Sequence, residues 1–297
     1  MTSPLRINMK DRRRSIAGEL LRDPDFRDRV IRYVLERKCQ AGGFCFYKLE
    51  EPNGSDTFYA LSILALMGIE FQDDKTLIQL RNMQHPDGSY NSVYMAYYSI
   101  KGLQMLREEP AYDPVPYVTK NLRHYRFDVE HLPIEISYLF KRTSYLVDLY
   151  YSLKMADSRI EQGIADFILY FENEDKGFGH RHSSLSETSR ALIILSRLGY
   201  SVEKMESTAF IKNCEIPFYG FTDVPRTSLS YIEYVYAGIV ASNIMSYQPH
   251  YLDDCANFIL HCQNRNGGFS RLMHGGIATL ENTYYAIDGL SVLASMI

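Results

Sequence analysis

Two kinds of apolar pattern alternate along this chain. One is one-sided. In RDRVIRYVLERKC, from Arg27 to Cys39, the residues Val30, Tyr33, Val34 and Cys39 fall near one face of a 3.6-residue period, with Arg and Glu opposite. LDDCANFILHC, from Leu252 to Cys262, behaves in the same way. Both predict helices with one wet side. The other kind is apolar nearly all round, rich in Ala, Leu and Tyr and poor in charge. It occurs as SDTFYALSILALMG (Ser55 to Gly68), NSVYMAYYSIKGLQML (Asn91 to Leu106), SETSRALIILSRLG (Ser186 to Gly199), YIEYVYAGIVASNIM (Tyr231 to Met245) and ENTYYAIDGLSVLASM (Glu281 to Met296). RTSYLVDLYYSLKMAD, from Arg142 to Asp157, is a sixth segment of this kind. Such segments predict helices enclosed on nearly every side. Pro133 and the run EEPAYDPVPY (Glu108 to Tyr117) mark loops or helix starts, and no alternating strand pattern stands out.

A glycine-bearing loop precedes most of the enclosed segments: CQAGGFCF from Cys39, QHPDGSY from Gln84, NEDKGFGHRHSS from Asn173, FYGFTDVPRTSLS from Phe218 and CQNRNGGFS from Cys262. The repeating unit is therefore an outer helix, a sharp turn that glycine permits, and an inner helix. Six such pairs close into an all-α (α/α)6 toroid, because closure leaves no terminal unit with an exposed apolar face. The reading is one domain over residues 1–297, with 1–21 as an extension ahead of the first unit. Stacking the inner helices on a small residue aligns Ala60, Ala96, Ser152, Ala191, Ala237 and Ala286. Four residues earlier stand Asp56, Ser92, Asp148, Glu187, Glu233 and Asn282. One residue earlier stand Tyr59, Met95, Tyr151, Arg190, Tyr236 and Tyr285. A spacing of three puts both columns on nearly one face, which predicts a Tyr-lined, carboxylate-bearing central cavity.

Gln-x-x-x-Gly-Gly-Phe followed by a helix opening on Asp-Thr or Glu-Thr resembles the repeat of the prenyltransferase β-subunit and squalene-cyclase superfamily. The resemblance runs from about Arg22 to Ile297 and is strongest in GGFSRLMHGGIATLENTYYAIDGLSVL. It implies the same toroid, and substrates that are isoprenoid diphosphates, triterpene precursors or prenylated peptides. Zinc-dependent members carry an Asp-x-Cys at the start of one inner helix and a His at the start of a later one, to activate a thiolate. Here Asn282 stands at the His position, Ser228 and Ser230 stand where Asp and Cys are expected, and Asp253 with Cys255 falls on an outer helix. No family-type catalytic zinc is expected. Cyclising members carry Asp-x-Asp-Asp-Thr with the middle Asp as acid. The windows here are Thr279 to Thr283, which puts Glu281 at the acid position, and Asn53 to Thr57, which retains Asp56 and Thr57. A buried Glu281 is expected to stay protonated near neutral pH.

The candidate catalytic carboxyls are thus Glu281, Asp56, Asp148 and Glu233. The candidate substrate contacts are Tyr59, Tyr151, Arg190, Tyr236, Asn282, Tyr285, Arg142, His180 and Arg226. A competing structural reading exists for each group. Asp56, Glu187 and Glu281 stand at helix starts, where a carboxylate favours the helix dipole. Asp148 and Glu233 can pair with Arg or Tyr across the cavity. The Tyr column can stabilise a carbocation through its faces, or simply pack with hydroxyls bonded to the acids. Basic groups near the loop ends hold a diphosphate if they converge, and Mg2+ would accompany such a substrate.

Composition narrows the class further. The net charge of -4 gives no reason to expect nucleic acid, and no apolar run is long enough to span a membrane. The five cysteines form no C-x-x-C pairs, which argues against a disulfide framework and suits a cytoplasmic compartment. There are 24 Tyr and no Trp, so the cavity wall should be more polar than a Phe/Trp wall. The leading reading is an isoprenoid-directed enzyme, terpenoid cyclase-like or prenyltransferase-like. The alternatives are a non-catalytic lipid- or protein-binding toroid, and a β-subunit-like chain that needs a helical partner. One buried carboxyl over an apolar chamber would favour the cyclase.

Overall fold

A computed structural model describes residues 15–47, 51–123 and 136–296, so Pro133 and most of the segment expected as an N-terminal extension lie outside the described residues. Six inner helices form a closed ring: α3 (Gly54–Leu66), α5 (Val93–Met105), α7 (Ile136–Ser152), α9 (Leu185–Arg197), α11 (Ile232–Ile244) and α13 (Leu280–Ser295). Each touches the next, and α13 returns to α3. The outer helices α2 (Pro24–Leu35), α4 (Asp74–Arg81), α6 (Val115–Arg123), α8 (Ser158–Leu169), α10 (Thr208–Asn213) and α12 (Leu252–His261) lie behind them, each against its own inner partner. A short α1 (Ile16–Leu20) buries Ala17 and Gly18 and packs on α12 and α13. An inner helix thus meets a neighbour on each side, an outer helix behind and the chamber in front. That geometry is why its sequence is apolar all round while the outer helices are one-sided. The described residues also hold a hairpin, β1 (Glu215–Ile216) with β2 (Gly220–Phe221), which no sequence pattern announces.

The repeated loop motif has a hydrogen-bonded purpose. Phe44, Phe178 and Phe269 are fully buried, and each pairs with the end of the outer helix on one side and the inner-helix cap on the other. Their backbone N–H groups donate to the hydroxyls of Thr57 (3.0 Å), Thr188 (2.9 Å) and Thr283 (3.1 Å). The Thr of the motif is thus the acceptor for a buried N–H that would otherwise be orphaned. The motif Gln holds the turn shut: Gln84 donates to the Gly88 carbonyl (3.2 Å) and Gln263 to that of Gly267 (3.1 Å). Caps at Asn53, Ser92, Ser184 and Thr279 start α3, α5, α9 and α13.

Those caps correct the alignment of the inner helices. Aligned on their caps, α3, α9 and α13 place Ala60, Ala191 and Ala286 together, as expected. In α5 the matching residue is Ser99 rather than Ala96, and in α11 it is Gly238 rather than Ala237. The third inner helix begins at Ile136, not Arg142, and Ser152 is its last residue. A small residue recurs often enough in these helices that smallness alone does not fix register, whereas the cap does.

Candidate active site

The inner helices enclose a chamber of about 490 Å³. At mid-depth its wall is aromatic: Phe58, Tyr59, Tyr97, Tyr145, Tyr236, Tyr284 and Tyr285. Tyr97 and Tyr145 stack face to face at 3.9 Å, and Tyr236 stacks on Tyr285 at 4.9 Å. Burial pushes the phenols of Tyr59, Tyr236 and Tyr285 well up, so they are neutral hydrogen-bond donors. Ser144, Ser186 and Ser189 line the end near the inner-helix starts, and Ile244 and Val292 the other.

Of the residues singled out from sequence, Tyr59, Asp148, Arg190, Glu233, Tyr236 and Tyr285 line the chamber. Asp148 of α7 is held between Lys101 Nζ of α5 (3.1 Å) and Arg197 Nη2 of α9 (3.2 Å). Glu233 Oε1 meets the Arg271 guanidinium at 2.5 Å, and the same Arg lies over the Tyr231 ring. Arg190 lines the chamber, and its charge acts on Glu187 and Tyr285 nearby.

The others are elsewhere. Asp56 is taken up in the cap of α3, where its Oδ2 accepts from Asn53 Nδ2 (2.6 Å) and its backbone N–H donates to Asn53 Oδ1 (2.8 Å). Asn282 lies at the corresponding turn of α13, with its N–H on the Thr279 cap. Tyr151 packs edge-on against Tyr150 at the end of α7. Arg142 faces outward and donates to Asn121 of α6 (2.7 Å). His180 and Arg226 are exposed on the loops before α9 and α11. The basic residues named from sequence therefore do not converge on one point.

Glu281 corrects the expectation of a protonated acid. Its Oε1 accepts from Tyr59 and Tyr285, both at 2.9 Å, and lies 3.5 Å from Lys141 Nζ. Burial pushes its carboxyl up, but the Lys141 charge and the two phenols together outweigh that and hold it below the usual carboxylate range. Glu281 is an ionised acceptor at the end of the chamber. Two turns further along α13 stands a carboxyl the sequence reading missed. Asp288 lines the chamber and its Oδ2 accepts from Tyr236 (2.7 Å) and Tyr284 (3.4 Å). Burial holds it above the usual range against the pull of those two hydroxyls. The seven-residue step from Glu281 was the available signal, since it returns to the same helix face.

Asp253 and Cys255 both lie on the outer helix α12. Cys255 is fully buried beneath Gly220 of β2, and burial pushes its thiol up. No group of three or more His, Cys, Asp or Glu side chains suited to a metal occurs among the described residues. None of the described helices is long and apolar enough to cross a membrane.

A family model described as the prenyltransferase alpha-alpha toroid domain matches residues 15–102 and 91–296. Among solved structures, the Candida albicans protein geranylgeranyltransferase-I complexed with GGPP is similar at 16% identity and a TM-score of 0.58, over 80% of this chain and 83% of that one. The type II terpene cyclase MstE from Scytonema, in complex with geranylgeranyl dihydroxybenzoate as substrate, is similar at 10% identity and a TM-score of 0.61, over 94% and 99%. A second variant of that cyclase with the same substrate gives 11% and 0.58, over 94% and 98%. At these identities the likeness is one of fold. No curated protein matches by sequence.

Proposed function

Since the chain belongs to the prenyltransferase alpha-alpha toroid family, we propose that it is an isoprenoid-directed enzyme that takes a long apolar prenyl chain into its tyrosine-lined central chamber. The observation that carries this reading is the chamber itself. Its volume of about 490 Å³ falls in the range of small-molecule sites, roughly 300–1,000 Å³. Its wall offers aromatic and aliphatic faces to an apolar chain, with serine, carboxylate and arginine side chains set among them. The protein geranylgeranyltransferase and the terpene cyclase of the same fold hold geranylgeranyl compounds, which supports a prenyl ligand of that class here. The test is incubation of the purified chain with farnesyl and geranylgeranyl diphosphates, with and without Mg2+, and with geranylgeranylated benzoic acids. Binding is read by calorimetry and products by mass spectrometry. Binding and conversion of at least one are expected. Failure to bind any of them sinks the reading.

The enzyme is further read as working without the family-type zinc. Asn282 supplies no imidazole, Ser228 and Ser230 supply no thiolate, and Cys255 is sealed behind a hairpin. Metal analysis of the purified protein should find no stoichiometric zinc. One tightly bound zinc per chain, lost on changing Asp253 or Cys255, would overturn this.

A further inference from the structure

The chamber runs the length of the inner ring. Its wall takes in the second residues of α9 and α11, Ser186 and Glu233, and also the last ones, Arg197 and Ile244. From Ser186 to Arg197 the α9 wall is about 16 Å deep, at the rise of an α-helix. The two ends differ. At the first-turn end the wall is tied to the incoming loops. Ser186 Oγ donates to Asp223 Oδ1 (2.7 Å), in the loop before α11, and the Arg271 guanidinium donates to Glu233 Oε1 from the loop before α13. At the last-turn end the wall itself reaches the surface. Ser196 and Arg197 both line the chamber and are both exposed, the Arg197 side chain by 55%. Counted from the caps at Ser184, Tyr231 and Thr279, the residues Arg197, Ile244 and Val292 hold the same position, so they form one rim. The rim is aliphatic on α11 and α13 and charged on the other side of the ring. There Arg197 Nη2 lies 3.2 Å from Asp148 Oδ1 of α7, and Lys101 Nζ of α5 lies 3.1 Å from Asp148 Oδ2. We propose that this last-turn end is a mouth through which the chamber exchanges its ligand, and that Arg197 is the gate. It is shut when the guanidinium rests on Asp148 and open when the side chain swings into solvent. The inference concerns access, and it goes beyond the identity of the ligand.

The arrangement meets the needs of a gate. Asp148 and Lys101 are the better buried members of the cluster. When Arg197 leaves, Asp148 keeps Lys101, so no buried carboxylate is stranded without a counter-charge. Arg197 is the last residue of its helix, and its pair with Asp148 is half in water, where such contacts hold only weakly. The departing guanidinium therefore exchanges one solvated state for another. Ile244 and Val292 stay in place and give an apolar chain a surface to pass along. Opening thus uncovers a passage with one aliphatic edge.

The test is chemical access to the middle of the chamber, and it needs no prenyl compound, so its outcome is independent of the function argued above. Ala237 lines the chamber midway along α11, and Ala237→Cys places a thiol there. That chain is treated with methyl methanethiosulfonate, which is small and uncharged. Peptide mass spectrometry follows modification at this position separately from the five native cysteines. Adding Arg197→Ala is expected to raise the rate about two- to five-fold, the factor that loss of a part-exposed ion pair allows. Molar salt should speed the Ala237→Cys chain in the same way by screening the pair, and should add nothing once Arg197 is replaced. Ile244→Trp fills the rim and should slow modification, and Val292→Phe fills it from α13 if the Trp variant does not fold. A rate left unchanged by Arg197→Ala, or by the rim-filling variant, overturns the proposal, because a reagent that enters by the loop end meets neither side chain. Absence of modification in all of these chains overturns it as well.

Discussion

Gly267→Ala is expected to destabilise the fold by about 2–5 kcal/mol, the sum of a left-handed backbone penalty of about 1–2 kcal/mol and an overpacking cost of about 1–3 kcal/mol. Gly267 has φ +91°, and a methyl group on it would lie 2.2 Å from the carbonyl oxygen of Arg29. Arg29 belongs to α2 of the first unit, whereas Gly267 belongs to the loop of the last, so this contact lies on the seam that closes the ring. Its counterparts are Gly42 against the Lys75 backbone and Gly88 against the Asp113 carbonyl. In each case a loop glycine of one unit is pressed on the backbone entering or forming the next outer helix. Backbone cannot rotate aside as a side chain can, so the seam must part. Gly68 is the control: it has φ +70° but nothing within 4 Å of an added methyl. Gly68→Ala should therefore show the backbone penalty alone, about 1–2 kcal/mol. Urea unfolding of the two variants measures the difference, and equal losses would show that the seam contact contributes nothing.

The toroid was legible because its signal is repeated. Enclosed helices, one-sided helices and glycine turns recur in order, and each repetition removes an alternative. Motif residues with a purely local task were legible too: Phe269 and Thr283 bond to one another wherever the loop is built. The site was less legible because it is made across units. Lys101, Asp148 and Arg197 come from three helices, as do Tyr59, Glu281 and Lys141. Whether a carboxyl is ionised depends on which partner the ring brings to it, and that depends on register. The α7 register was misplaced by a small residue at the wrong end of the helix, and Lys141 was thereby left out of the helix. Glu281 looked like the acid because it holds the position at which related cyclising sequences carry theirs. Asp288 lies two turns inside α13, beyond the motif at the helix start, so no repeated pattern marks it.

The two carboxyls of α13 should oppose one another in stability as they do in charge. Glu281 is held below its ordinary value, so its contribution is present above the ordinary carboxylate pKa of about 4.3 and is lost as pH falls through the lower folded value. Asp288 is held above its ordinary value, so the folded state is relatively most stable below about 3.9 and loses that advantage as pH rises through the folded value. Near neutral pH, Glu281→Gln therefore removes a favourable anion from Tyr59, Tyr285 and Lys141. Charge-assisted bonds of this kind contribute about 1.5–3 kcal/mol each when buried, but the side chain is 41% exposed and solvent screens it, so a loss of about 1 kcal/mol is expected. Asp288→Asn removes the cost of a buried acid and should stabilise the fold. Thermal unfolding at several pH values tests both, at about 2–4 °C per kcal/mol for a domain of this size or a little smaller. The Glu281→Gln midpoint should lie below wild type and the Asp288→Asn midpoint above it near neutral pH, and both differences should shrink as the pH is taken below 4. An Asp288→Asn chain less stable than wild type at neutral pH would mean that Asp288 is an ionised structural partner of the two tyrosines.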